Sequence, residues 1–79
     1  MDIKTYIINR LRYLRNKVNY QYGYTSAEEI VYGLWELSRL AEWAGFFDLK
    51  DTIYKKYETL RELLPHKGTP RFADFLMNL

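Results

Sequence analysis

Apolar residues recur every three or four positions along most of this chain, and that spacing restricts the fold to packed α-helices. In the first segment the apolar positions are Ile3, Ile7, Leu11, Leu14 and Val18. They fall on one face of a helix over about residues 2–20. No segment bounded by turn residues alternates between apolar and polar positions, as a half-buried strand would. The sequence therefore predicts an all-α fold.

A second helix is predicted over about residues 26–44. Ser26 and Glu29 have the spacing of a capping box, in which the hydroxyl and the carboxylate satisfy free amides at the helix start. The inner face of this helix consists of Ile30, Leu34, Leu37, Ala41 and Ala44, broadened by Val31 and Leu40. Gly45 follows, and glycine commonly supplies the left-handed residue that ends a helix.

Two further helices are predicted in the second half of the chain. The third spans about residues 48–64, with Asp48 as its cap and Pro65 as its stop, before a loop over residues 65–68. Its apolar stripe is Leu49, Ile53, Tyr57, Leu60 and Leu64. Thr69 as cap and Pro70 as first helical residue then begin a short helix over about residues 69–79. Its apolar residues are Phe72, Phe75, Leu76 and Leu79.

These elements predict one domain over residues 1–79, a small three- to four-helix bundle. The last helix has two interpretations, since an amphipathic helix at the end of a chain can pack on its own bundle or dock into a groove of another protein. Packing on the bundle is favoured, because a core built from 79 residues needs the additional apolar area.

Composition narrows the class of protein. The chain is 48% hydrophobic and 28% charged, which is too apolar for a disordered chain. It contains no cysteine, which excludes disulfides and thiolate chemistry. No apolar run approaches the roughly 20 residues of a membrane span, and the opening Met-Asp-Ile-Lys-Thr lacks the layout of a secretory signal. We expect a cytoplasmic protein without membrane association. The single glutamine and the many charged residues are typical of thermophile proteins.

Residues for catalysis or for metal binding are not grouped in the sequence. The one histidine, His66, follows Pro65 in a predicted loop, where it makes a poor general base or zinc ligand. The acidic residues are scattered over polar helix positions, and the four glycines are too dispersed for a phosphate-binding loop. We therefore expect no enzymatic activity, no bound metal and no cofactor.

One candidate binding surface lies on the first helix, where residues 1–24 carry five cationic side chains against one anionic one. A second stripe beside the apolar face alternates rings and cations. We call it the basic stripe, and it consists of Tyr6, Arg10, Tyr13, Lys17 and Tyr20. Such a stripe suits nucleic-acid phosphates or an acidic protein surface. Alternatively, its tyrosines are edge residues that bury the ring and leave the hydroxyl in water.

A second candidate surface lies on the second helix, away from its apolar face. We call it the aromatic flank, and it consists of Tyr32, Trp35, Arg39 and Trp43. Tyrosine, tryptophan and arginine dominate the energetics of protein interfaces, so the flank is a candidate contact with a partner or with a second copy. Alternatively, the fourth helix or the segment Phe46–Phe47 folds over it.

The segment from Ala41 to Phe46 resembles the turn of helix-turn-helix DNA-binding domains, which place an alanine four residues before a glycine, here Gly45, and an apolar residue after it. The resemblance covers about twenty residues. It implies a recognition helix over residues 48–64 with Lys50, Lys55 and Lys56 as DNA contacts. The chain departs from the pattern at position 51, where an aspartate stands in place of an apolar residue and Ile53 comes two residues late.

We expect from these features a non-enzymatic helical accessory or adaptor subunit that binds a larger protein. The basic first helix favours a nucleic-acid-handling complex, such as a replication or transcription assembly. Two alternatives remain: a DNA-binding regulator of the helix-turn-helix kind, and a homodimeric structural or viral protein.

Overall fold

The computed structural model describes residues 2–18 and 27–79, and at position 18 the backbone only. Within these residues the chain forms four α-helices and a short 3-10 turn, with no strand. The helices are α1 (Ile3–Val18), α2 (Ala27–Trp43), α3 (Phe47–Leu63) and α4 (Pro70–Met77), and the 3-10 turn Leu64–His66 follows α3. The predicted all-α helical bundle is confirmed. The capping box at Ser26 and the predicted end of the first helix at residues 19–20 lie outside the described residues.

The four helices pack in a closed order, in which each helix contacts the next and the last helix contacts the first. The most extensive contact joins α2 to α3, α1 packs on α2, and α4 packs on both α3 and α1. Each helix contributes to one core, whose buried members are Ile7, Leu14, Ala27, Ile30, Leu34, Leu37, Ala41, Ile53, Leu60, Leu63, Phe72 and Leu76. Because Phe72 and Leu76 belong to this core, α4 is a helix of the bundle, as favoured from the sequence.

The approach of α1 to α2 depends on a glycine. A Cβ atom placed on Gly33 would lie 3.0 Å from both terminal methyl carbons of Leu14. Leu14 is buried, so its side chain occupies the space that a larger residue at position 33 would need. Gly33 therefore lets Leu14 pack against the backbone of α2.

Two helix boundaries are formed as the sequence predicts. Gly45 has a positive φ of 86°, the amide of Phe46 donates to the carbonyl of Ala41, and the amide of Gly45 donates to the carbonyl of Glu42. This pair of hydrogen bonds is the Schellman motif that ends many helices. At α4 the Thr69 hydroxyl accepts a hydrogen bond from a backbone amide one turn later, and Pro70 is the first helical residue.

Two predicted boundaries are wrong. Phe46, and not Asp48, is the capping residue of α3, and its side chain makes no capping hydrogen bond. The Schellman turn delivers the chain directly into α3, so Asp48 already lies inside the first helical turn, where a carboxylate is favoured by the helix dipole. Residues 65–68 are not all loop, because Leu64–His66 continues α3 as a 3-10 turn.

The predicted core is mostly confirmed, with errors near the helix ends. Ile3 is 39% exposed, although its spacing places it on the apolar face of α1, and Ala44 is only half-buried. Spacing identifies a face but does not show where the neighbouring helices end. Leu63 and Ser38 are buried without having been predicted, and the Ser38 hydroxyl donates to the backbone carbonyl of Trp35.

Candidate binding surfaces

The cations of the basic stripe are engaged by their own neighbours. The guanidinium of Arg10 lies 4.5 Å from the ring centroid of Tyr13, and the amine of Lys17 lies 5.3 Å from the same centroid. Lys17 also forms an ion pair with Glu29 of α2. The hydrogen bond to Glu29, followed by that to Tyr13, raises the pKa of Lys17 above its usual value. Lys17 therefore joins α1 to α2, whereas Arg10 contacts a ring of its own helix.

The rest of the stripe is divided between surface and groove. Tyr6 and Tyr13 are 45% and 43% exposed, so each is partly covered, and Tyr20 lies outside the described residues. A groove of about 300 Å³ between α1 and α2 is lined by Tyr6, Arg10, Leu14, Gly33, Glu36, Leu37 and Leu40. Within residues 2–18 and 27–79, the exposed cations Arg12 and Arg15 take part in no ion pair.

A larger and more apolar groove lies between α2 and α3. It has a volume of about 410 Å³ and is open to solvent, and we call it the aromatic groove. It is lined by Glu28, Val31, Tyr32, Trp35, Tyr57 and Leu64. The rings of Tyr32 and Trp35 lie 6.1 Å apart at a tilt of 34°, and Tyr57 packs in a similar way on Tyr54, with centroids 5.4 Å apart. Two helices and the 3-10 turn thus combine their side chains in one concave surface.

The groove is anchored at its floor and open at its rim. Val31, Tyr57 and Leu64 are partly buried and pack against the core. Trp35 is 41% exposed and Tyr32 is 61% exposed. The rings are therefore held by helices while much of their area remains in contact with water.

One end of the aromatic groove carries an ion pair. Glu28 lies in the first turn of α2, and its carboxylate forms an ion pair with Lys67, which follows the 3-10 turn. The hydrogen bond from Lys67 lowers the pKa of Glu28 below its usual value. This ion pair joins the start of α2 to the segment between α3 and α4.

A polar groove of about 320 Å³ adjoins the aromatic groove and shares Trp35 with it. It is lined by Trp35, Ser38, Arg39, Glu42, Lys50 and Tyr54. The Glu42 carboxylate lies 3.0 Å from Arg39 and 3.7 Å from Lys50, whose amine is also 3.4 Å from Asp51. Charges at this end of the α2–α3 surface are thus balanced internally.

The structure brings together three of the four residues of the aromatic flank. Tyr32, Trp35 and Arg39 line the two adjoining grooves, whereas Trp43 is 79% exposed and lines neither. The alternative in which α4 or Phe46–Phe47 covers the flank is wrong, because α4 packs on α1 and α3 and Phe47 is itself 61% exposed.

Sequence reasoning missed the contribution of α3 to this surface. Tyr57 was assigned to the core, and Tyr54 to no surface at all. The two tyrosines are three residues apart and so occupy one side of their helix. The sequence shows that spacing, but it does not show which side of α2 packs beside these two tyrosines.

The start of α3 has part of the geometry that the helix-turn-helix resemblance implies. Ala41 is fully buried and Gly45 has a positive φ, as that turn requires. However, Asp51 is exposed in place of an apolar packing residue, while Ile53 is buried. The exposed carboxylates of Asp48 and Asp51 would lie close to DNA phosphates and repel them.

No protein-family model, curated protein or solved structure matches this chain. In the part of the chain that the structure describes, no three histidine or acidic side chains gather as a metal site would require. Across the same residues, no helix is long and apolar enough to cross a membrane.

Proposed function

We propose that this chain is a non-enzymatic helical adaptor, or accessory subunit, that binds a larger protein through the aromatic groove. The observation that supports this most directly is the exposure of Tyr32 and Trp35 in a groove of about 410 Å³ whose floor is part of the core. Burying such rings against a partner would contribute strongly to binding, because tryptophan and tyrosine in desolvated pockets dominate binding energies.

The partner is proposed to belong to a nucleic-acid-handling complex, such as a replication or transcription assembly. The excess of positive charge in residues 1–24 supports this, together with Arg12 and Arg15 of α1, which are exposed and form no ion pair with the residues that the structure describes. Exposed cations on one helix attract phosphates at long range without specifying a sequence. In this arrangement the aromatic groove holds the protein partner while α1 lies near the nucleic acid.

The test compares two tryptophans of one helix. Tagged wild-type protein, Trp35→Ala and Trp43→Ala are each used to capture proteins from the native lysate, in nuclease-treated and untreated halves, with quantitative identification of what is retained. Circular dichroism first establishes that all three proteins are equally helical. We expect one large protein that wild type and Trp43→Ala retain after nuclease treatment and that Trp35→Ala loses.

Each other outcome corresponds to a different function. Recovery of DNA alone, lost on nuclease treatment, would favour the DNA-binding regulator. If Trp35→Ala and wild type retain the same protein equally, the partner binds at a surface other than the aromatic groove. If wild type retains only copies of itself and sediments as a dimer, the homodimeric structural protein is favoured.

A further inference from the structure

The lining of the aromatic groove is attractive to positive charge. Glu28 is the one charged side chain among the described residues that line it, and the walls present the rings of Tyr32, Trp35 and Tyr57. The face of an aromatic ring carries partial negative charge and attracts cations, most strongly for tryptophan. The carboxylate and the rings therefore favour the same kind of ligand.

We propose that the aromatic groove takes an arginine side chain of the partner protein, stacked on the ring faces and paired with Glu28. This inference rests on the proposed function and specifies what the partner inserts. Arginine fits better than lysine, because its planar guanidinium is more weakly hydrated, stacks on rings and binds carboxylates through two parallel hydrogen bonds. The volume of about 410 Å³ also accommodates its methylene stem against Val31 and Leu64.

Lys67 acts as an internal competitor for the same carboxylate. Its ammonium is paired with Glu28 from outside the groove lining, and its side chain is 36% exposed. An arriving guanidinium exchanges with Lys67, which then becomes hydrated. The two members of this ion pair therefore have opposite effects on the ligand: Lys67 weakens arginine binding, whereas Glu28 strengthens it. An ion pair that only stabilised the fold would not give opposite signs.

The direct experiment is an NMR titration of the whole protein with Nα-acetyl-arginine methylamide. The indole N–H signal of Trp35 reports the groove, and that of Trp43 serves as an internal reference, because Trp43 is 79% exposed and lines neither groove. The citrulline analogue is the matched control, since it is planar and nearly isosteric with arginine but carries no charge. We expect a saturable shift at Trp35 with arginine, at least about fivefold weaker binding of citrulline, and little change at Trp43.

Three variants then test the exchange at Glu28. Lys67→Met is expected to tighten arginine binding about three- to fivefold, and Glu28→Gln to weaken it by a similar factor, the range expected for an exposed ion pair. Lys55→Met is the matched control, because Lys55 is an exposed cation on the side of α3 opposite Tyr57 and Leu64 and forms no ion pair within the described residues. It removes the same charge without releasing Glu28 and should change the dissociation constant less than about 1.5-fold.

The proposal is overturned if citrulline shifts Trp35 as strongly as arginine, if Lys55→Met tightens binding as much as Lys67→Met, or if arginine gives no saturable shift. These failures are distinct from failure of the proposed function. If Trp35→Ala loses the captured protein but the wild type does not bind arginine, the groove remains a protein-binding site and the arginine proposal fails. If the wild type binds arginine but Trp35→Ala captures the same protein as wild type, the groove remains a cation-binding site and the proposed function fails.

Discussion

The basic stripe of α1 and the aromatic groove between α2 and α3 contain similar residue types but differ in how those residues are used. In the stripe, Arg10 and Lys17 surround Tyr13, and Lys17 is also paired with Glu29, so the cations are already engaged inside the protein. In the groove, Tyr32 and Trp35 contact each other at a tilt and remain open to water.

This difference shows why one helix alone rarely defines a binding site. In the stripe, Arg10 and Lys17 reach their own neighbours, although Arg10 also lines the groove between α1 and α2. The aromatic groove is a concave surface between two helices, and its own rings leave part of it open to solvent. Concave, mostly apolar surfaces with a few polar groups are where ligands are usually bound.

The largest expected effect comes from α4, which supports both regions because it packs on α1 and α3. Phe72→Ala should lower the free energy of unfolding by about 3–5 kcal/mol, since Phe72 is fully buried in the core. Urea denaturation measures this loss. Phe72→Leu is the milder variant if the alanine protein does not fold. A loss below about 1 kcal/mol for Phe72→Ala would mean that α4 contributes little to either region.

A smaller effect is expected where α1 alone is displaced. Gly33→Val should cost about 1–3 kcal/mol, because its side chain would overlap the Leu14 methyl groups. Leu14→Ala in the same protein creates space, so the double variant should be more stable than the sum of the single effects predicts. Trp35 fluorescence in a Trp43→Phe background should change little, since Gly33 does not line the aromatic groove. Additive losses in stability would contradict the close contact between Gly33 and Leu14.

Each region contains one titratable group whose ion pair makes the stability depend on pH. The pKa of Glu28 is lowered by Lys67, so its contribution is present above the ordinary value of 4.5 and is lost as the pH falls through the folded-state pKa. The pKa of Lys17 is raised by Glu29, so its contribution is present below 10.5 and is lost as the pH rises through the folded-state pKa.

Melting temperatures measured at acid, neutral and alkaline pH test the pH ranges in which Glu28 and Lys17 contribute to stability. Glu28→Gln should reduce the loss of melting temperature on the acid side, and Lys17→Met should reduce the loss on the alkaline side. Asp2, whose pKa is lowered by hydrogen bonds from Thr5, contributes a separate acid loss that Glu28→Gln does not remove. The same pH profile for both variants would show that neither ion pair forms as described.

The smallest effect is expected at Trp43. Because this side chain is 79% exposed, Trp43→Ala should change the free energy of unfolding by less than about 0.5 kcal/mol. Thermal and urea unfolding measure it beside Trp35→Ala, whose ring is more buried. A cost above about 1.5 kcal/mol for Trp43→Ala would mean that the ring packs within the protein and would weaken its use as a neutral control.

The sequence was sufficient for the helices and for most of the core, because periodicity, Gly45, Thr69 and Pro70 act locally. It was insufficient for the candidate site, because a groove depends on which faces of two helices meet. Trp43 was grouped with Trp35 from their shared flank, yet it lies beyond the end of the groove that Trp35 lines. Tyr57 was assigned correctly to the inner side of α3, but its position beside Trp35 follows only from the packing of α2 on α3.

The closed order of the helices has a consequence for how the chain folds. Three of its four main contacts join helices that are consecutive in sequence, and only the contact between α1 and α4 joins the two ends. Such a low contact order is typical of helical domains that fold within microseconds to milliseconds. Synthesis proceeds from the first residue, so α1, α2 and α3 can associate early, but the bundle cannot close until Leu76 has left the ribosome.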